Sequence, residues 1–300
     1  MQIMARTSKS VRGTHRLSRE EGGKLREQPL VHVSVMPHEV LAALDLQKSD
    51  IVVDATYGAG GHSAAIKKAG VKKLVTMDAD SATKPDIVGN FGDIGKLVDV
   101  TPTKILFDLG WNRGQLASGR GFSFMYEEPL NMSYGAAPRS GFTAAEMLNT
   151  FSEQALSDVL YGYGEERYAR RIAAQIVERR ATAPFATTTE LVELIRDAVP
   201  AGYRHGRTNP ATKSFQALRI AVNDELGVLR QGLEQAWEVL APGGRIAVIT
   251  FHSIEDRVVK NLFKEFGGER ISKKPIVPTR EEVVRNPASR SAKLRVIKKV

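Results

Sequence analysis

The stretch "IVVDATYGAGGHS", Ile51 to Ser63, places an acid and the glycines Gly58, Gly60 and Gly61 directly after a run of β-branched apolar residues. Glycines let a ligand approach the backbone closely, and a helix from about Ser63 would aim its positive end and free N–H groups at the same place. The loop lacks the lysine of a GxxxxGK[ST] phosphate cradle, which argues against nucleoside triphosphate hydrolysis. It also departs from GxGxxG, because Ser63 occupies the third glycine position. Asp78 stands twenty residues beyond Gly58, at the end of the next apolar run, where an acid accepts hydrogen bonds from a ribose diol. Asp80 is a rival for that role. Asp108 closes a further apolar run, "KILFD". Acids and glycines gathered at strand ends favour a nucleoside-containing cofactor.

A second constellation, His252, Glu255 and Asp256 in "FHSIED", follows the apolar run "RIAVITF". Histidine and glutamate three apart share a helix face and could bind a metal, but no third ligand at suitable spacing is evident, so no metal is expected. These residues are expected to shape a base pocket or to cap a helix, where acids are favoured.

The elements that must position these groups read as α/β. Strands are expected at 51–54, 73–78, 104–108 and 245–251; continuous apolar strands suit a parallel sheet covered on both faces. A helix is expected through "PHEVLAALDL", with Val40, Leu41 and Leu44 on one face. Between Gln115 and Thr212 the pattern is helical, with capping-box spacing at Thr143 to Glu146 and Thr187 to Glu190. Then Phe215, Leu218, Val222, Leu226, Leu229, Leu233, Trp237 and Leu240 recur at helical spacing up to "APGG", and Trp237 is expected in the core. The expected organisation is a basic disordered arm at 1–29, a main domain from 30–115 and 213–300, and an inserted helical subdomain at 116–212.

Composition narrows the setting. The chain has 300 residues, 42% of them hydrophobic, no cysteine and a net charge of +9. Without cysteine, disulfide frameworks and zinc–thiolate sites are excluded, and a reducing cytoplasm fits best. No apolar run reaches the roughly 18 residues that span a bilayer. Residues 1–28 hold seven Lys/Arg against three Glu, and residues 264–300 hold eleven against four, so the two flanks carry +4 and +7 and the middle −2. Basic flanks of this kind attract a phosphate backbone through counterion release.

In order, "VVDATYGAGGHS", "LFDLG" followed by Gln115, "RGFSFMYEEPLNMSYG", "TAAEMLNT", "YGEERYARRIAAQIVERR", "NPATKSFQALRIAVNDEL", "LAPGGRIAVITFHSIEDRVVK" and "NPASRSAKLRV" resemble the bacterial 16S rRNA (cytosine-N4)-methyltransferase family of the MraW type. The matching stretches run from about Val31 to Lys298. The resemblance implies a class I methyltransferase fold, a Rossmann-like, mostly parallel sheet with an inserted all-helical subdomain. It implies S-adenosyl-L-methionine as cofactor and, as substrate, a decoding-centre cytidine of small-subunit ribosomal RNA, within an assembled or assembling 30S subunit. Its cofactor contacts fall on Gly60, Gly61, His62, Asp78, Phe91, Asp108 and Gln115. The chain departs from the family in "DLGWNRGQL", where Trp111, Asn112 and Arg113 replace small residues. It also carries Asn131 for the aspartate of "PLDM" and Asn209 for the histidine of "HPAT", and it leaves almost no room for a helix between "MDADSATKPDI" and "VGNF".

Methyl transfer from a sulfonium chiefly requires alignment of nucleophile, methyl carbon and sulfur. Cytosine N4 is a poor nucleophile because its lone pair is delocalised into the ring, so an acceptor for its N–H is expected near the fourth strand end. Asp108 and Asn112 are the catalytic candidates, with the carbonyls of Leu109 and Gly110 as alternatives. Trp111 is a candidate for stacking on the base. Arg113, Arg120, Arg290, Lys293 and Arg295 are the candidates for RNA phosphate contacts. Two other readings fit parts of the sequence: an RNA-binding relative whose altered "GWNRG" loop abolishes transfer, and a nicotinamide-dependent oxidoreductase, which the glycine loop and Asp78 alone would permit.

Overall fold

The computed structural model describes residues 33–110, 118–206 and 208–300. The basic arm at 1–29 and the candidates Trp111, Asn112, Arg113 and Gln115 lie outside the described residues.

Apolar runs of Ile, Val and Leu form the strands β1 (Ile51–Asp54), β2 (Lys73–Asp78), β4 (Lys104–Asp108) and β5 (Arg245–Thr250), with a two-residue β3 (Ile87–Val88) between β2 and β4. Two further strands follow, β6 (Glu269–Arg270) and β7 (Lys293–Lys298). Among the described residues they make one sheet in the order β3-β2-β1-β4-β5-β7-β6. β1 to β5 pair in parallel, and β7 runs antiparallel to both β5 and β6. This is the mostly parallel α/β sheet that the resemblance implies. The order reverses at β1, which lies between β2 and β4, and ligands of such sheets bind at the carboxyl ends beside that reversal.

Side chains alternate across the sheet with period two. Val53, Ile105, Phe107, Ile246, Val248 and Ile297 enter one buried cluster, while Val52, Leu106, Ala247, Ile249, Leu294 and Val296 enter another. The second face is covered by α1 (Pro37–Leu44), through Val40, Ala43 and Leu44, and by Ile66 of α2 (Gly61–Lys68). On the first face lie Ile94 of the short α3 (Ile94–Leu97) and helices described below. The β2–β3 connection contains only a 3₁₀ turn, Ser81–Thr83, as the shortened sequence there leads one to expect.

The middle of the chain is helical: α4 (Ala144–Thr150), α5 (Glu153–Gly164), α6 (Ala169–Arg180), α7 (Thr188–Ala198), α8 (Ala201–Arg204) and α9 (Thr212–Asn223). Thr143 and Glu146 form the expected reciprocal cap on α4. A third apolar cluster, drawn from residues between Phe122 and Val222, is built by this region. Its core therefore extends through α9, past the sequence-based boundary at 212. The single helix expected across 215–240 is two helices, α9 and α10 (Glu225–Val239), because Asp224 between them is left-handed, with φ 47°. One left-handed residue redirects the chain without disturbing the spacing of the apolar residues, so the break is invisible to periodicity. α10 and α11 (Ser253–Glu265) pack on the first sheet face through Leu229, Leu233, Val259, Leu262 and Phe263. A short α12 (Arg280–Arg285) precedes β7. Trp237 is partly buried and packs against the core on the first sheet face, stacked on Phe266 with ring centroids 5.0 Å apart and with Lys299 Nζ 5.6 Å from its ring centroid.

Candidate functional site

β1 delivers Asp54 into the interior, 1% exposed, where it accepts the Ser63 hydroxyl at 2.6 Å and the Thr56 N–H at 3.3 Å. Burial raises its pKa against the lowering effect of these hydrogen bonds. Asp54 thus ties the end of β1 to the first turn of α2. The loop between them is shaped by close approaches. A Cβ on Gly60, which has φ 77°, would meet the Tyr57 ring at 2.9–3.0 Å, and one on Gly61 would meet the Ser34 hydroxyl at 2.0 Å. The bare faces of these two glycines are therefore used by Tyr57 and Ser34, and what they can offer a ligand is their backbone. No side chain caps the N-terminus of α2, in keeping with N–H groups left for a ligand.

Asp78 ends β2 opposite the loop. One carboxylate oxygen accepts the Gly58 N–H at 2.7 Å and the other the Asp80 N–H at 2.8 Å. Each oxygen keeps a second lone pair for a hydroxyl. Asp80, the rival acid, caps the 3₁₀ turn by accepting from Ala82 N–H at 2.9 Å. Phe91 opens a 3₁₀ turn capped by Asn90 and packs edge-on against Phe107, with ring centroids 5.6 Å apart.

Asp108 ends β4, its backbone N–H donating to Thr56 Oγ1 at 2.6 Å. Its Oδ2 lies 3.3 Å from His62 Nε2. Among the described residues Asp108 Oδ1 is a buried acceptor without a hydrogen-bond partner, an arrangement that invites a donor, and His62 Nε2, also buried, faces the other Asp108 oxygen. Burial opposes charge on His62, yet the adjacent Asp108 carboxylate, with Asp54 and Glu282, outweighs it and holds His62 above its ordinary pKa. The sequence candidates Gly60, Gly61, His62, Asp78 and Asp108 are thus joined through one loop and its neighbouring strand ends. His62, which residue chemistry alone would leave as a helix-start hydrogen bonder, faces Asp108 directly.

At the end of β5 the helix start is capped, although His252 Nε2 is, among the described residues, also a buried atom without a hydrogen-bond partner. His252 Nδ1 accepts the Glu255 N–H at 3.3 Å, and Glu255 accepts from Phe251 and His252 N–H at 2.9 and 3.3 Å, forming a reciprocal cap on α11. His252 Nε2 is 3.1 Å from Glu255 Oε1. The third acid that spacing failed to reveal is Glu225, at the start of α10: one ligand atom from each of Glu225, His252 and Glu255 lies within 4.8 Å of the others. Glu225 is already held by a two-pronged Arg219 contact at 2.8 and 2.9 Å and by the Tyr134 hydroxyl at 3.0 Å. Burial raises the Tyr134 pKa, and the neighbouring Glu225 carboxylate adds to this. Burial works against charge on Arg219 and Glu255, but Glu225 keeps the guanidinium protonated and His252 keeps Glu255 ionised. Arg219 thus supplies the cation that these carboxylates need. The signal for this network was present as Arg219 and Asn223 in the otherwise apolar second half of α9, Ala217 to Asn223.

Two RNA candidates are committed elsewhere. Arg295 is bound through two nitrogens to Asp256, at 2.6 and 3.0 Å, an ion pair that ties β7 to α11. Arg120 donates to the Tyr134 carbonyl at 2.8 Å and to Ser118 Oγ at 3.2 Å, holding the 118–134 loop. Lys293 stands 3.6 Å from Asp256 but is partly exposed, and Arg290 is exposed. Both border a shallow hollow lined by Phe251, His252, Val277 and Pro278. The substituted residues Asn131 and Asn209 make local turn bonds, to Ser133 and Ala211 N–H at 2.8 and 2.9 Å.

Comparison with known proteins follows this geometry. A protein called ribosomal RNA small subunit methyltransferase H from Synechocystis sp. is 44% identical, over 93% of this chain and 98% of that protein. The protein of the same name from Treponema denticola is 41% identical over 90% and 98%. An rRNA methylase structure from Streptococcus thermophilus aligns over 88% of this chain and 95% of that one, at 12% identity and a TM-score of 0.38. The MraW methylase family model matches residues 29–300, and the chain belongs to that family.

Proposed function

We propose that this protein transfers a methyl group from S-adenosyl-L-methionine to the exocyclic N4 of a decoding-centre cytidine in small-subunit ribosomal RNA, within an assembled or assembling 30S subunit. The observation that carries the reading is the buried, unpartnered Asp108 Oδ1 at the end of β4, beside a glycine loop whose helix start is left uncapped. The names of the relatives support ribosomal RNA of the small subunit as the substrate.

The residues present fit the cofactor. Its ribose diol has acceptors in the Asp78 carboxylate, its amino-acid carboxylate has donors in the backbone N–H groups of Gly61 and His62, and its base has an apolar neighbour in Phe91. The Gly60 N–H is held by the Tyr57 carbonyl at 2.8 Å, so Gly60 shapes the loop. Gln115 is the further contact proposed. When bound, the sulfonium supplies both the electrophilic methyl carbon and its own leaving group. The chain's part is then positional. Asp108 accepts an N4–H, which turns the amine lone pair out of conjugation and fixes its direction; holding two reactants in this way contributes on the order of 7–11 kcal/mol in well-oriented systems. His62, 3.3 Å from the other Asp108 oxygen, keeps that carboxylate oriented. Asn112 is the second proposed acceptor. Arg290 and Lys293 are the proposed phosphate contacts that remain from the carboxyl flank.

The test is nucleoside mass spectrometry of small subunits that lack the modification, incubated with the protein and S-adenosylmethionine. One N4-methylcytidine in the decoding region is expected. Transfer to another base, or none, would overturn the reading.

A further inference from the structure

The run Arg167, Arg170 and Arg171 has no part in the site described so far. Arg170 and Arg171 lie in the first turn of α6 and are exposed. A helix N-terminus is the positive end of the backbone dipole, so cations there work against the helix and acids are normally favoured. Here the first turn of α6 holds no acid. Two arginines kept at an unfavourable helix end, facing water, point to an anionic partner rather than to stability.

The neighbouring groups strengthen the case. The Arg167 guanidinium stands over two rings, 4.8 Å from the Tyr168 centroid and 4.9 Å from that of Tyr203. Those rings meet edge-on at 5.0 Å. Below them the buried Glu166 accepts the Tyr203 hydroxyl at 2.8 Å and the Tyr168 N–H at 2.9 Å, so the aromatic pair is fixed. A guanidinium held between two aromatic rings loses little freedom when its N–H groups bind phosphate oxygens. Arg204, next to Tyr203, donates one terminal nitrogen to the Val199 carbonyl at 3.5 Å and, among the described residues, has a buried Nε without a partner. Across 165–171 and 203–204, four arginines stand against two glutamates. One of these, Glu165, is already bound to Ser253 and Arg257.

That last contact locates the patch. Glu165 caps the end of α5 and reaches the first residue of α11, one residue beyond His252 at the β5 end. The arginine run therefore begins at the carboxyl rim of the sheet, where the proposed transfer takes place.

We propose that Arg167, Arg170, Arg171 and Arg204, fixed by Tyr168 and Tyr203, form a phosphate-binding platform that holds the RNA backbone beside the rim. This rests on the proposed function for the identity of the RNA. Arginines interleaved with aromatic rings suit an RNA backbone with accessible bases.

The test compares wild type, R170Q/R171Q and K67Q/K68Q for binding to unmethylated small-subunit RNA over a salt series. Lys67 and Lys68 are exposed in the last turn of α2, so the second variant makes the same charge change elsewhere. For R170Q/R171Q the log–log salt slope is expected to become shallower by about 1.4–1.8, from roughly 0.7–0.9 per phosphate contact. Melting temperature is expected to hold or rise, because the dipole conflict is relieved, and S-adenosylmethionine affinity to hold. An unchanged slope, or an equal change in K67Q/K68Q, would overturn the platform. Wild type that binds the RNA with this arginine dependence yet transfers no methyl would support the platform and sink the proposed function alone; wild type that binds no RNA would overturn both.

Discussion

Two helix starts sit at the same carboxyl rim, α2 after β1 and α11 after β5, and they end their orphan N–H groups in opposite ways. At α11 the chain closes its own end: His252 and Glu255 satisfy each other's backbone, and Arg219, Tyr134 and Glu225 pack behind them. At α2 no side chain caps the start, and Asp108 Oδ1 and His62 Nε2 stay unpartnered beside it. Among the described residues both starts keep a buried histidine Nε2 without a hydrogen-bond partner beside a carboxylate, but only α2 combines an uncapped end with an unpartnered carboxylate oxygen, Asp108 Oδ1. Unsatisfied buried polar groups are costly, so this combination marks α2 as the end a ligand completes. The closed end serves as the fixed wall.

The largest effect that would break this contrast is expected at Asp108. In Asp108→Ala, single-turnover methyl transfer should fall on the order of 10²–10⁴-fold, the range for loss of a positioned proton acceptor. Normal turnover with normal cofactor affinity would remove Asp108 from the reaction. Next comes Gly61→Ala, whose Cβ would collide with the Ser34 hydroxyl; denaturant unfolding should show a loss of about 1–3 kcal/mol, partly restored by Ser34→Ala. A neutral Gly61→Ala would mean that the loop does not hold this close packing. His252→Ala should lower stability by about 0.5–2 kcal/mol through the lost cap, with S-adenosylmethionine affinity retained. If cofactor affinity dropped instead, the closed end would belong to the cofactor site.

The smallest effect concerns pH. His62 is held above its ordinary value of 6.5, so its pairing with Asp108 contributes stability fully below that value and loses it as pH rises through the elevated folded value. Unfolding free energy measured across that window should decline more in wild type than in His62→Gln. Equal slopes would show that the pair is not charged.

Sequence reading succeeded where the signal is local. β1, β2 and β4 are continuous apolar runs that stop at acids, so both the strands and Asp54, Asp78 and Asp108 at their ends were legible. β5 extends as expected except at Phe251, which turns out of the sheet ahead of the cap. The parts that were not legible are those made by distance in the chain. Glu225 reaches His252 and Glu255 only because Asp224 bends α9 into α10, and a single left-handed residue leaves no periodic trace. Arg295 reads as a free basic residue until Asp256, thirty-nine positions earlier, is brought against it. Tyr57 and Ser34, which occupy the space above Gly60 and Gly61, carry no motif of their own.

The claim on which the rest depends is that the open helix start and its strand-end acids hold the methyl donor. A crystal structure with S-adenosylhomocysteine tests it most directly. The account predicts the ribose hydroxyls on Asp78, the amino-acid carboxylate on the N–H groups at the start of α2, and the sulfur facing Asp108. Ligand bound at the β5–α11 turn, or elsewhere with that rim untouched, would contradict it.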